Sequence, residues 1–423
     1  MSIAERASVL LDQPLIEETA GARTRYAVRF LSTVRQIPRN TWEQMFPGNP
    51  ECWDFYRLSE AATPPGFDVS VIAAFDGIEI VAAVLVFRLN YRLDTPLQGQ
   101  ARLVGDWLHA RWPRAVSRTV MGLGSPMSDS FSFGFAPRLA LSERQQALGE
   151  ILDCLRMRAK LERTSVLAIK SLGDQAVEFD ACLASAGYHR VTNLPIVALP
   201  TTFDSFEDYL QSLPKKTREY LRRKMRPLSE LRIEIRSSPS GLESQLFAMF
   251  ENTRRQSKGS YGEFDGLHPQ VFDRMLQGLG DQARVMLCWR GDELMSFLFM
   301  LTGNDRIIGK YVGMNYPAAR ELNLYFIMAL KMIELAIERR ASVVEMGVTT
   351  YATKLLFGGQ LERRWLYFQF MGPVQDAIIS PVAFLFDFER NDADLRRLNA
   401  TSSTPHMARS TIPGTPANRG RSD

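Results

Sequence analysis

Two long helical patterns, at 141–163 and 321–340, occupy the same place in two similar strings of elements. Each follows a hairpin and a further strand, and each is followed by a strand, a short helix and a last strand. A helix between neighbouring strands implies a crossover, and a tight glycine turn between alternating runs implies antiparallel pairing. In the first half RYAVRFL (25–31) is a strand and helical patterns cover about 39–46 and 50–60. VSVIAAF and IEIVAAVLVFRL flank Asp76-Gly77, a hairpin signal. SRTVMGLG, the long helix, SVLAIKS, a helix at 176–186 and a final strand YHRVTNLPIVAL follow, with 91–115 as an extra insertion. The second half runs LRIEIR (231–236), helices at 242–257 and 269–278, then two strands around Gly291-Asp292. RIIGKYVG (306–313), the long helix, SVVEMG, a brief helix near Thr350 and WLYFQF, expected to close the sheet of its own half, complete it. This correspondence reads as an internal duplication.

The 423 residues have room for two domains and a tail. Expected boundaries are an N-terminal arm at 1–24, one domain at 25–204, a second at 205–390, and a disordered tail at 391–423, where Ser, Thr, Pro, Asn and Arg replace large apolar residues. A formal net charge of +4 excludes a global basic field for nucleic acid or membrane, though not a local patch. Cys52, Cys154, Cys182 and Cys288 are too scattered for a disulfide framework or a zinc knuckle, and four histidines argue against a His-rich metal site. No run is long and apolar enough for an integral membrane span. The N-terminus carries acids early and does not read as a signal peptide, so the expectation is a cytoplasmic protein, read as a monomer.

The duplicated order resembles the GCN5-related N-acetyltransferase (GNAT) fold, in the tandem form of the FemABX-like and peptidoglycan biosynthesis/recognition transferases. Three segments carry the resemblance: SFEDYLQSLPKKTREYLRRKMRPLSE (205–230), the run from Ile307 to Gly347, and TTYATKLLFGGQL (349–361), with Tyr351 and Lys354 three apart. The resemblance implies an α/β (α+β) fold of two tandem GNAT-like domains, each a mixed, mostly antiparallel sheet flanked by helices. It implies acyl transfer to an amine, with acyl-CoA as co-substrate and no permanently bound cofactor. In FemABX proteins the donor is an aminoacyl-tRNA and the acceptor a cell-wall precursor, so tRNA is an alternative partner. A non-catalytic envelope or polysaccharide assembly factor of the same fold is a third reading.

Amide formation needs a group to take the amine's proton, a donor for the oxyanion and a proton for the leaving group. Lys354, beside the expected cleft, suits an oxyanion or a carrier phosphate. Tyr351, on the same helix face, suits the leaving group. Glu345 interrupts a strand that should be buried, so it is either a general base or one half of an ion pair with Lys310 or an arginine. These three are the expected catalytic residues, each with an ordinary structural alternative. Lys310 and Tyr311 are adjacent in a strand and should face opposite sides. For the co-substrate the positions are Lys310, Gly313 and Arg320. The family's Gly-rich phosphate loop is reduced here to GMNYPAARELN, where Pro317 has no N–H to donate and Arg320 offers a side-chain charge instead. Arg218, Arg222 and Arg226 would line one face of a helix begun near Thr217, as a phosphate-binding stripe. Asp129, in the Gly- and Ser-rich loop 122–134, is the best polar candidate of the first half, which is expected to bind the acceptor.

Overall fold

The computed structural model describes residues 25–64, 66–95, 100–112, 117–239, 241–256, 264 and 266–401. The expected arm at 1–24 and the tail beyond 401 lie outside these residues.

The first half begins with β1 (Ala27–Leu31), α1 (Arg39–Met45) and α2 (Trp53–Glu60). The hairpin β2 (Asp68–Asp76) and β3 (Glu79–Arg92) follows, then α3 (Gln100–Arg111), β4 (Ser117–Leu123) and the short β5 (Gly134–Phe135). The crossover is α4 (Leu141–Leu161), leading to β6 (Val166–Leu172), α5 (Ala176–Ser185), β7 (His189–Thr192) and β8 (Ile196–Pro200). The junction carries α6 (Phe206–Ser212) and α7 (Lys215–Lys224). The second half then runs β9 (Arg232–Arg236), α8 (Glu243–Gln256), α9 (Val271–Leu279), β10 (Ala283–Arg290), β11 (Glu293–Thr302) and β12 (Arg306–Met314). Next come α10 (Ala318–Glu321), α11 (Leu324–Glu338), β13 (Val343–Glu345), α12 (Tyr351–Leu356), β14 (Gln360–Glu362) and β15 (Trp365–Phe370). Helices α13 (Pro373–Ile379), α14 (Phe388–Asn391) and α15 (Ala393–Thr401) close the described chain. Residues 393–401, expected to be disordered, are therefore helical, and buried Leu395 ties them to the core of the second half.

Both hairpins turn through two residues, with Gly77 and Gly291 at φ 63° and 58°, the left-handed first position that such turns require. Helix α4 buries Ala147, Leu148, Ile151, Leu152 and Leu155, a three-and-four spacing that puts one stripe on the first sheet. Helix α11 buries residues nearly all round, because the second sheet lies on one side and α6 and α7 on the other.

The described strands form two sheets, ordered β1-β2-β3-β4-β6-β15-β7, with β5 on β3, and β14-β8-β13-β12-β11-β10-β9. Only β4/β6 and β12/β13 are parallel, the two pairs spanned by the crossover helices. Each half gives its last strand to the other. β8 lies between β13 and β14, and β15 lies between β6 and β7. YHRVTNLPIVAL is therefore two strands in two sheets. Pro195 has no N–H to continue a ladder, and the Asn193 side chain accepts from Leu194 N at 2.9 Å, so the chain bends there and crosses over. WLYFQF likewise closes the first half's sheet instead of its own. A further apolar core joins the halves, where α1, α2 and α9 meet inward faces of β2, β3 and β10–β12.

Candidate functional site

Beyond the paired residues Ile308 and Glu345, β12 and β13 part. Among the described residues no further strand pairs with β12 on that edge. Two loops meet over this opening: 124–132, which follows β4, and 346–350, which follows β13.

Loop 124–132 is held by lysines from both sheets. Lys170, on β6, donates to Ser125 O at 3.2 Å and Ser128 O at 2.7 Å, and lies 4.8 Å from the Phe264 ring centre. Lys310, on β12, donates to Met127 O at 2.7 Å and to Glu51 Oε1 at 2.6 Å. The Glu51 and Lys310 side chains are 7% and 3% exposed, a buried ion pair between the halves. Burial works against the Lys310 ammonium, but Glu51, Tyr311 and Asp129 outweigh it and raise its pKa. The Lys170 pKa is pulled down to about 8, chiefly by desolvation.

Lys310 reaches across because β12 carries a bulge: Tyr311 pairs with Phe299 and Gly309 with Met300, leaving Lys310 as the extra residue. The alternation shifts there, so Lys310 and Tyr311 do not face opposite sides. Both turn toward the core that joins the halves, with Tyr311 stacked 6.0 Å from Phe299 and pushed up to about 12 by burial.

Loop 346–350 is wound tightly. Gly347, Thr349 and Thr350 have φ of 67°, 66° and 51°, and the two threonines carry a conformation costly for branched side chains. Lys354 holds this winding: its buried Nζ donates to Gly347 O at 3.2 Å and Val348 O at 2.6 Å. Desolvation pulls its pKa down to about 7, against the attraction of Asp129. Asp129 Oδ2 lies 3.0 Å from where a Cβ on Gly347 would stand, so a side chain at that position would press on the carboxylate. Asp129 is half-buried and has no hydrogen-bond partner among the described residues.

Two cavities flank loop 124–132. One, about 200 Å³, lies on the face of the first sheet away from α4. Phe87, Val166, Ala168, Phe368 and Phe370 form its apolar walls, Phe264 and Phe386 cover it, and Asp129, Lys170, Ser171 and Asn193 make its polar end. The other, about 270 Å³, is polar and lies between the halves, with Glu51, Tyr56, Ser130, Arg306 and Glu345 on its wall. Glu345 is buried and accepts from Arg306 Nη1 at 2.8 Å. Its partner is this arginine and not Lys310. Burial raises its pKa, with Arg306 opposing and Glu51 adding to the rise.

The other expected positions lie elsewhere. Tyr351 is fully buried in the core of the second half and donates to Pro195 O at 3.0 Å. Gly313 is part of β12, where a Cβ would stand 2.1 Å from the Phe297 ring. It is spent on close packing and forms no phosphate loop. Arg320 lies 5.4 Å from the Tyr316 ring centre and donates to Gln256 at 3.3 Å. Helix α7 begins at Lys215 and ends at Lys224, so Arg226 falls in the following 3-10 turn, out of line with Arg218 and Arg222. Arg218 donates to Gln211 O at 3.3 Å and Leu213 O at 3.4 Å, and Arg222 pairs with Glu207. Lys224 instead reaches the start of α11, donating to Asn323 Oδ1 at 2.7 Å. Sequence reasoning did not single out Glu51, Arg306 or Lys170. A lysine inside the apolar run SVLAIKS was a usable signal. Glu51, in a turn-rich loop, offered none.

Residues 215–355 match the family model of the acetyltransferase (GNAT) domain. No curated protein matches the sequence. The crystal structure of FemX is similar over 80% of this chain and 96% of its own, at 11% identity and a TM-score of 0.52. The C-terminal domain of a putative lysylphosphatidylglycerol synthetase from Agrobacterium fabrum aligns over 81% of this chain and 95% of its own, at 10% identity and a TM-score of 0.47. A tandem GNAT protein from the clavulanic acid biosynthesis pathway aligns over 82% and 99%, at 12% identity and 0.46.

Proposed function

We propose, from the premise that this chain is a tandem GNAT-like protein with the fold of FemX, that it is an N-acyltransferase acting where β12 and β13 part. The observation that carries the reading is the Asp129 carboxylate, left without a hydrogen bond at the polar end of a cavity and set against Gly347 beside the split.

In this reading the second half presents an acyl-CoA thioester and the first half presents an amine. An ammonium docks on Asp129 and passes one proton to the carboxylate. The amine nitrogen attacks the thioester carbon, the C–N bond forms, and the oxygen gains negative charge. Backbone N–H groups on the free edge of β12 beyond Ile308 suit that oxyanion, except Met314 N, which already donates to Thr253 Oγ1 at 2.8 Å. The C–S bond then breaks, and the thiolate leaves with the second amine proton. Lys354 does not touch the reacting atoms. It is a positioning residue that fixes the turn carrying Gly347. Lys224 and Arg320, near the start of α11, suit the phosphates of the carrier. No helix of the described residues is long and apolar enough to cross a membrane, which suits a cytoplasmic enzyme using a soluble carrier.

The test is thiol release from acyl-CoA with a panel of amines, comparing wild type with Asp129→Asn. The substitution keeps size and removes charge, and the rate is expected to fall by about 10²–10⁴ with the fold intact. Full activity in the variant would remove Asp129 from the chemistry.

An aminoacyl-tRNA donor is a second reading, favoured by the basic surface of α7, where Lys215, Lys216 and Arg223 are exposed. It predicts that charged tRNA, and no acyl-CoA, shifts the melting temperature, and that the shift fades steeply with added salt.

A further inference from the structure

We propose that the acceptor is a primary amine carried on an apolar body, with the body in the cavity of the first sheet and the ammonium on Asp129. This rests on the acyl-transfer reading and specifies its acceptor.

The walls of that cavity are almost wholly hydrocarbon. The rings of Phe67, Phe87 and Tyr91 surround Phe264 at centre distances of 5.0, 5.6 and 5.6 Å, and Phe386 stands 5.3 Å from Phe368. At about 200 Å³ the space is many times what a single water needs, and apolar walls hold water poorly. Such a site favours a ligand that brings its own apolar surface.

The polar end decides which kind. Asn193 is tied into the fold: its Nδ2 donates to Ser171 Oγ at 2.8 Å and its Oδ1 accepts from Leu194 N. Lys170 turns two of its protons to backbone carbonyls and lies over an aromatic ring. The charged group left without a hydrogen bond among the described residues is Asp129, which only accepts. A ligand head that donates and carries positive charge completes this end. A carboxylate or phosphate head would meet the negative charge of Asp129, and a hydroxyl would forgo the charge-assisted bond. Asp129 also stands against Gly347, so an ammonium bound there is already beside the opening between β12 and β13. The apolar body then lies in the first half, away from the carrier side.

Asp129 has company, and the balance matters. Lys170, Lys310 and Lys354 all lie within its electrostatic reach. Lys310 is committed to Glu51. Lys170 and Lys354 each turn to two backbone carbonyls, so none of the three lysines spends a hydrogen bond on Asp129.

The experiment uses the full chain and reads two quantities separately. Calorimetric binding is measured for butylamine, hexylamine and decylamine, with decanol and decanoate as matched controls. Thiol release from acyl-CoA is measured with the same amines. Amine affinity is expected to rise about fourfold per methylene until the cavity is full. Decylamine should bind at least about tenfold more tightly than decanol. Asp129→Asn should erase that difference while leaving decanol binding unchanged, and this control also reports an intact cavity. A second variant, Ala168→Leu, fills the apolar end and should weaken decylamine while sparing butylamine. Equal binding of decanol and decylamine, or affinity indifferent to chain length, overturns the proposal. Thiol release with small polar amines alone would sink the hydrophobic acceptor and leave acyl transfer standing. Tight, Asp129-dependent amine binding without thiol release from any acyl-CoA would sink the transfer reading, and with it the acceptor role.

Discussion

Lys354 keeps its ammonium in a place where charge is expensive, and that choice has a measurable signature. Its pKa is about 7 in the folded protein against an ordinary value of 10.5. Between those values the unfolded chain binds a proton that the folded chain does not, so raising the pH favours folding. Lys354→Met removes this contribution and leaves Lys170 untouched. In urea unfolding, wild type should therefore gain on the variant as pH rises from 7 to 9, by up to about 1.4 kcal/mol per unit. A pH-independent difference would show that the amine titrates normally. Lys310 behaves in the opposite way, because Glu51 holds it charged. Lys310→Met alone strands a buried carboxylate and should cost roughly 3–5 kcal/mol, whereas adding Glu51→Leu should restore part of the loss. Chemical denaturation of the single and double variants measures both terms. That Lys310 interrupts an apolar strand was visible in the sequence. That it pairs with Glu51 was not, because the partner lies 259 positions away and only the packing of the two halves brings it near.

At the scale of elements, the order of strands and helices was legible, because hydrophobic spacing and Gly turns report local geometry directly. The long helices begin and end close to where their apolar stripes do. Neighbour relations were not legible. Alternation in IVALP or WLYFQF states which residues face a core and says nothing about which strand lies alongside. The exchange of β8 and β15 therefore had no local sign beyond Pro195. The same limit hid the bulge at Lys310, since one extra residue in a strand leaves no mark on composition. The packing role of Gly313 was hidden for a related reason: the sequence marks it only as a co-substrate position in a reduced loop, and in the fold its missing side chain admits the Phe297 ring. Gly313→Ala should lower stability by about 1–3 kcal/mol, read as a lower denaturation midpoint with an unchanged slope.

At the scale of the whole molecule, the two halves are interlocked and not merely joined. A fragment ending near residue 204 would lack β15, leaving β6 and β7 unpaired on facing edges, and would expose β8 with no sheet to enter. Residues 25–204 and 205–401 expressed separately should each aggregate or fail to fold, and together should form a soluble complex on co-expression. Size-exclusion chromatography of the two cases decides it, and a stable, monomeric first fragment would contradict the exchange. The candidate site shares this dependence, because Asp129 and Gly347 come from different halves and meet only after both sheets are complete.

The crossed strands also set a timetable. During synthesis β7 leaves the ribosome long before β15, which must slide in between it and β6. At 5–20 residues per second the first sheet stands open for on the order of ten to forty seconds, with two hydrogen-bonding edges bare. A nascent chain in that condition is a natural client for a holding chaperone, and any pause in translation before Trp365 lengthens its exposure.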